Sequence, residues 1–116
     1  MDNSDACRYI VATQFSKYPG GRFKSDGRFS GEEFREEVLM PMLARCQQIT
    51  MVLTGANGYG ASFLDESFGE IGKRLGEQEC RKRIILVSDD DPTLEAIIWS
   101  KIGKGSVEGR HSTGGK

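Results

Sequence analysis

The feature that most constrains the fold is one continuous segment, residues 49–75, with the sequence ITMVLTGANGYGASFLDESFGEIGKRL. Its first five residues, 49–53, form a short apolar run that is typical of a buried strand. A turn with three glycines follows at residues 55–60, and glycine allows backbone angles that side chains forbid. Ser62 then predicts a helix start, because its hydroxyl can cap a free N–H of the first turn. Strand, turn and helix together predict an α/β protein.

Three other segments predict strands. Residues 8–15, RYIVATQF, alternate well enough for a first strand, and residues 84–87, IILV, are a β-branched run typical of a buried strand. Turn signals on either side of residues 22–24 indicate a very short strand there. Alternation of these strands with helices predicts one α/β domain with at least some parallel pairing.

Two helices are predicted besides the one after Ser62. The first begins at Ser30, which has capping-box spacing to Glu33, and Pro41 should kink it or make it restart near residues 39–40. The last begins near Pro92, after three acidic residues that suit a helix dipole better than a cation site. The apolar residues expected to face the core recur at helical spacing: Phe34, Val38, Met42 and Cys46, then Leu64, Phe68, Ile71 and Leu75, then Leu94, Ile97, Ile98, Trp99 and Ile102.

Length and charge restrict the class of protein. A chain of 116 residues suits one domain with a modest core, and a net charge of −1 leaves no electrostatic footprint for nucleic acid or anionic membranes. No apolar run is long enough for a membrane span, and the polar first residues do not form a signal peptide. We therefore expect a cytoplasmic protein that binds neither nucleic acid nor membrane.

The cysteines and both ends of the chain lead to further expectations. Three widely spaced cysteines and one histidine do not form a metal-ligand pattern, so reduced thiols and no cofactor are expected. We expect a frayed N-terminus at residues 1–6, a folded domain at residues 7–102, and a flexible glycine- and serine-rich tail at residues 103–116.

Candidate binding residues lie in glycine-flanked loops, where functional side chains concentrate. Arg22, Arg28 and Tyr59 occupy such loops, and each also fits a solvated or rim position. Ser62 fits either a helix cap or a phosphorylation site, because a phosphate there would meet free helix N–H groups. The acids that follow Ser62 suit the helix dipole better than acid–base catalysis, so we expect no enzyme activity.

The strings YPGGRF, DGRFSGEEFREEVLMPML and GYGASFLDESFGEI carry a family resemblance. In that order they resemble the short bacterial STAS-like domains of unassigned function, from about Phe15 to about Gly76. The resemblance implies a single STAS-like domain, a mixed β-sheet with helices packed mainly on one face, and no cofactor.

STAS domains proper resemble anti-sigma-factor antagonists, and this likeness implies a function. In those proteins a histidine-kinase-type ATPase phosphorylates a serine at the start of the second helix, and the phosphate switches partner binding off. Here Gly60 and Ala61 stand where the family's aspartate and switch serine would be, and Ser62 matches the second serine. Either Ser62 is the switch, with the register shifted by one, or the switch is absent.

Two functions are therefore predicted. The first is a non-enzymatic regulatory module that binds a protein partner, such as a histidine-kinase-type ATPase, through a surface that includes Tyr59, Gly60, Ser62 and Phe63. The alternative is a small-molecule or anion-binding protein, or a small enzyme, that uses the loop from Gly55 to Gly60 and the helix start at Ser62, with Arg22 nearby.

Overall fold

A computed structural model describes residues 6–112, with side chains described through residue 109. The described part contains a three-stranded sheet in the order β1 (Ala6–Ile10), β2 (Gln48–Val52) and β3 (Ile84–Val87). Both strand pairs are parallel, with Cys7 opposite Ile49 and Thr50 opposite Ile85. The predicted strands at residues 49–53 and 84–87 are confirmed as β2 and β3, but the sheet is parallel where a mixed one was expected.

The first strand is shorter than predicted and continues into a helical turn. β1 ends at Ile10, and α1 (Val11–Gln14) follows directly. The Ile10 N–H donates to Gln14 Oε1 at 2.8 Å, which ties the strand end to this turn. Val11 is fully buried there, so the apolar run that suggested a longer strand packs as a turn.

The predicted short strand at residues 22–24 is also wrong. A 3₁₀ turn occupies Lys24–Asp26 instead. The Asp26 carboxylate accepts the Phe23 N–H at 2.9 Å, and this local bond competes with extended pairing.

The helix predicted after Ser30 is confirmed. α2 covers residues 31–45, with α-helical ends Gly31–Phe34 and Met40–Arg45 and a π-helical turn, Arg35–Leu39, between them. Ser30 Oγ accepts the Glu33 N–H at 3.1 Å, as the capping prediction requires. The π turn lies just before Pro41, near residues 39–40, where the sequence predicted an irregularity.

The next helix starts earlier than predicted. α3 covers residues 61–75, with a π-helical turn at Asp65–Gly69, and Gly60 is its N-cap residue. No side chain caps it, so Ser62 is the second residue of the helix and the prediction that it caps the helix is wrong. Gly76, at φ 89°, ends the helix.

Two helices complete the described chain. α4 (Glu77–Arg83) lies in a segment for which the sequence predicted no helix or strand, and α5 (Leu94–Ser112) runs well past Ile102. In place of the predicted flexible tail, residues 103–112 thus continue a helix; residues 113–116 lie outside the described part. None of the helices described has the length and apolar character needed to cross a membrane.

Glycines explain why the last helix continues. A side chain at Gly105 would collide with the Gly69 carbonyl oxygen, and one at Gly109 with the Lys73 carbonyl oxygen. The two helix backbones therefore approach each other through residues without side chains. Ser106 Oγ also accepts the Glu77 N–H at 3.0 Å, which fixes this end of α5 to α4.

The core lies between the sheet and the helices. On one face of the sheet, Ile49, Met51 and Leu86 are buried, whereas Ile85 on the other face is 43% exposed. Of the predicted core residues, Leu75 and Trp99 are only partly buried and Ile97 is exposed. The three largest fully buried side chains form a connected aromatic group: Phe34, Phe63 and Phe68.

A disulfide bond joins Cys7 to Cys46, whose Cα atoms are 6.0 Å apart, so the expectation of reduced thiols is wrong for this pair. Cys46 ends α2 just before β2, and parallel pairing places Cys7 beside that point. Cys80 is free, as expected, and it is buried. Burial is the main cause that raises the pKa of its thiol to about 11, so this thiol stays protonated at neutral pH.

Candidate functional site

The candidate site lies at the start of α3, on the loop that leaves the carboxyl end of the central strand. Tyr59 anchors this loop: its hydroxyl donates to the Leu53 carbonyl at 2.8 Å and its ring lies 6.0 Å from that of Phe63. Burial, followed by the nearby charge of Asp90, raises the Tyr59 pKa well above its usual value. The phenol therefore stays neutral and holds the loop to the strand end.

Arg22 reaches the start of α3 from the loop before α2. The backbone around it is fixed, because the Gly21 and Arg22 carbonyls accept the Gly31 and Glu32 N–H groups, each at 3.0 Å. From this position Arg22 Nη2 donates to Ser62 Oγ at 3.3 Å. Two residues that the sequence singled out separately thus meet in one contact.

Gly31 brings the two helix starts together. An ideal Cβ on this residue would lie 2.5 Å from the Phe63 carbonyl oxygen, so only glycine fits without a shift. The close approach explains how a loop that precedes α2 can deliver a side chain to the first turn of α3.

Two carboxylates share the guanidinium of Arg22. Asp65 Oδ2 lies 3.4 Å from Arg22 Nη2, and Glu66 Oε1 lies 3.6 Å from Arg22 Nη1. These acids are three and four residues after Ser62, so all three side chains lie on one face of α3. The Arg22 side chain is 36% exposed, which leaves this cluster open to solvent on one side.

Each acid has a second and closer cation. Lys101 Nζ of α5 lies 2.8 Å from Asp65 Oδ1, and Arg35 Nη1 of α2 lies 2.8 Å from Glu66 Oε2. Arg35 also donates to the Glu66 carbonyl at 2.7 Å and is nearly fully buried. The face of α3 that carries Ser62 is therefore connected to both neighbouring helices through charged pairs.

The charges change the acidity of Asp65. Partial burial alone would raise its pKa, but the hydrogen bond from Lys101 and the charges of Lys101 and Arg22 outweigh burial and lower it. Asp65 therefore stays ionised at neutral pH and keeps both cations in place.

The predicted site residues differ in their exposure and in whether they contact the cluster. Gly60 and Ser62 are exposed at the helix start and Tyr59 is partly buried beside them. Phe63 is fully buried in the core, so its predicted place on a partner surface is wrong. Arg28 makes no contact with the cluster; its 75% exposed side chain stacks on the Phe29 ring, 4.5 Å from the centroid, and pairs with Glu33 at 3.8 Å.

Sequence reasoning missed the residues that complete the cluster. Asp65 was assigned only to the helix dipole, although its spacing from Ser62 is a local signal for a shared face. Lys101 and Arg35 carry no such signal, since they reach the cluster only through the packing of α5 and α2 on α3.

The cluster has the chemistry of an ion-pair network with one exposed hydroxyl. Beside it lies a cleft of about 200 Å³ between α3 and α5, whose charged lining residues are of both signs. Among the side chains that the structure describes, residues 6–109, no three His, Cys, Asp or Glu are grouped so that they could hold a metal ion. The lining residues of the cleft are Arg22, Asp65, Gly69, Glu70, Lys101, Lys104, Gly105 and Glu108.

Residues 30–94, which include α2, β2, α3 and β3, match the model of a family described as STAS-like domain of unknown function. No curated protein and no solved structure matches the chain.

Proposed function

We propose that this chain, which belongs to the family of STAS-like domains of unknown function, is a non-enzymatic regulatory module that binds a protein partner and is switched at Ser62. The observation that carries the proposal is the contact between Arg22 and the exposed Ser62 hydroxyl, 3.3 Å apart, at the start of α3. This hydroxyl is not used as a helix cap, so modifying it removes no capping bond from the fold.

The chemistry of the switch is phosphoryl transfer. The bond between the γ-phosphorus of ATP and ADP breaks, a bond from that phosphorus to Ser62 Oγ forms, ADP leaves, and the hydroxyl proton passes to solvent. The product adds close to two negative charges at an exposed point on the first helical turn, where the positive end of the dipole favours an anion. A partner that covers this turn in the unmodified state would then have to desolvate the new charge.

The partner in this proposal is the kinase itself, an ATPase of the histidine-kinase type, and both proteins act in the cytoplasm. The contact surface comprises Gly60, Ser62 and the exposed part of Tyr59. The exposed side chain of Ala61 lies between them, so the surface combines a small apolar patch with one hydroxyl.

A second candidate function is anion binding without a protein partner. The cleft between α3 and α5 favours it, because Arg22, Lys101 and Lys104 line that cleft. Acids of equal number line the same cleft, which is why we place this candidate second.

The proposal is tested by capturing partners from the source cells with a tagged chain, followed by quantitative mass spectrometry. Ser62→Ala should retain the partner that the parent chain captures, and Ser62→Asp should lose it. Ser100→Asp is the matched control, because it adds the same charge at another exposed helical serine, on α5.

Equal recovery with Ser62→Ala and Ser62→Asp would contradict the switch. Loss of the partner with both variants, when circular dichroism shows that both are folded, would mean that the hydroxyl itself makes a required contact. A rise in melting temperature with inorganic phosphate, absent in Arg22→Gln, would favour anion binding instead.

A further inference from the structure

Charge on the helix face makes a phosphate at Ser62 unfavourable unless a cation compensates it. Asp65 and Glu66 follow Ser62 at the two helical spacings at which like charges repel. A phosphoserine would add close to two charges to a face that already carries two carboxylates. The phosphorylated Ser62 therefore needs a cation within reach of its phosphate, in addition to the cations that pair with the two carboxylates.

Arg22 is placed to be that cation. Its guanidinium nitrogens lie 3.3 Å from Ser62 Oγ, 3.4 Å from Asp65 Oδ2 and 3.6 Å from Glu66 Oε1. The planar group presents several N–H donors at once, which suits two oxygens of a phosphate. The backbone hydrogen bonds to α2 hold this residue in place, so little ordering is needed when the phosphate arrives.

Arg22 can move to a phosphate without leaving an unpaired acid. Its distances to the two carboxylates are long, and each carboxylate has a closer partner at 2.8 Å, Lys101 for Asp65 and Arg35 for Glu66. When the Arg22 guanidinium moves away from the two carboxylates and toward Ser62, the shorter pairs of Asp65 with Lys101 and of Glu66 with Arg35 remain. The exchange therefore replaces two weak ion pairs with one charge-assisted, two-pronged contact.

We infer that Arg22 is the phosphate-receiving residue of the switch: it binds the phosphate on Ser62 and gives up its contacts with Asp65 and Glu66. This inference rests on the proposed function, since it takes Ser62 as the modified residue. It adds the condition that the modified state is stable only while residue 22 is cationic. The charged groups of the cluster are Arg22 from the loop, which contacts Ser62, Asp65 and Glu66 from α3, and the cations paired with those two acids, Lys101 from α5 and Arg35 from α2.

The test uses the full chain with phosphoserine incorporated at position 62 and follows its phosphorus NMR signal as pH is varied. A phosphate held by Arg22 should titrate at a lower pH than the ordinary second pKa of about 6. Arg22→Gln should return the midpoint to about 6 or above, and Arg22→Lys should recover part of the shift. Arg28→Gln is the matched control, because Arg28 is a cation of the same loop that does not contact the cluster.

The same midpoint in the parent chain and in Arg22→Gln would overturn the inference. Melting temperatures give a second readout: phosphorylation should lower the value of Arg22→Gln, to the point of unfolding if the repulsion is strong, and should leave the parent within a few degrees. Equal changes in both would overturn the inference as well. Neither measurement involves a partner. A phosphate midpoint that Arg22 lowers, together with equal partner capture by Ser62→Ala and Ser62→Asp, would therefore refute only the proposed function.

Discussion

Gly105→Ala should destabilise the protein, although alanine is the better helix former. In an exposed helix the change would gain about 1 kcal/mol. Here the new methyl group would collide with the Gly69 carbonyl oxygen and lie 3.1 Å from the Lys73 N atom. Both are backbone atoms of α3, so they cannot turn aside as a flexible side chain can.

The magnitude follows from two opposing effects. Inserting a methyl group into a packed contact costs about 1–3 kcal/mol, and more where backbones must separate. Because two backbones must separate here, the upper part of this range applies, and after subtraction of the helix-propensity gain of about 1 kcal/mol we expect Gly105→Ala to lower the free energy of unfolding by roughly 1–2 kcal/mol. Chemical denaturation followed by circular dichroism measures this, with an unchanged slope as the sign of an intact two-state transition.

Gly103→Ala is the matched control on the same helix. Its Cβ would meet only the Glu77 side chain, with Oε1 at 3.2 Å, and that carboxylate can rotate away. This variant should match the parent or gain up to about 1 kcal/mol. If both variants gain stability equally, α5 does not dock on α3 beyond Ile102, and the original expectation of a flexible tail would be correct.

Three further predictions concern single contacts. Ser30→Ala should lower the free energy of unfolding by about 1 kcal/mol because it removes a helix cap, whereas Ser62→Ala should change it by no more than about 0.5 kcal/mol. A comparable loss for both variants in thermal melts would contradict the assignment of Ser30 as a cap and of Ser62 as a residue that caps nothing. Reduction of the Cys7–Cys46 bond, which spans a sequence separation of 39, should cost about 4 kcal/mol by the loop-entropy relation, as measured by urea denaturation with and without dithiothreitol. Because the pKa of Asp65 is lowered in the folded state, its ion pairs contribute stability above about pH 4, and this stability is lost as the pH falls through the folded-state pKa. Asp65→Asn should flatten this acid-side decline in melting temperatures measured over a pH series, and an unchanged decline would refute the pairing.

Much of the fold was predictable because it depends on local patterns. The apolar runs at residues 49–53 and 84–87 identify two of the strands, and Ser30 identifies the start of α2. These signals lie within a few residues of the elements that they specify, so no tertiary information is needed to interpret them. The family resemblance rests on the same segments, and the match of residues 30–94 to the family model confirms it.

The failures come from contacts between distant segments. The sequence GKGSVEG suggests a disordered tail by composition, yet the glycines are what allows α5 to approach α3. Similarly, Ser62 has the right chemistry for a cap, but Gly60 takes the cap position two residues earlier. The distinction between a cap and a second helical residue depends on where the loop after β2 turns.

The candidate site was predictable in part. The sequence identifies both Arg22 and Ser62 as candidate residues. It does not predict that they touch, because the contact requires the close approach of Gly31 to Phe63. Phe63 itself was misplaced on the surface, since one turn of a helix presents residues to both core and solvent. The cations Lys101 and Arg35 depend entirely on helix packing.

The most direct test of the central claim is the dissociation constant of the captured partner for the chain with phosphoserine at position 62, compared with the unmodified chain. An interface that covers Ser62 must desolvate the added charge, so we expect at least a tenfold weaker complex, which corresponds to about 1.4 kcal/mol. Isothermal titration calorimetry on both forms gives the two constants under identical conditions. Equal constants would contradict the claim that Ser62 controls the interaction.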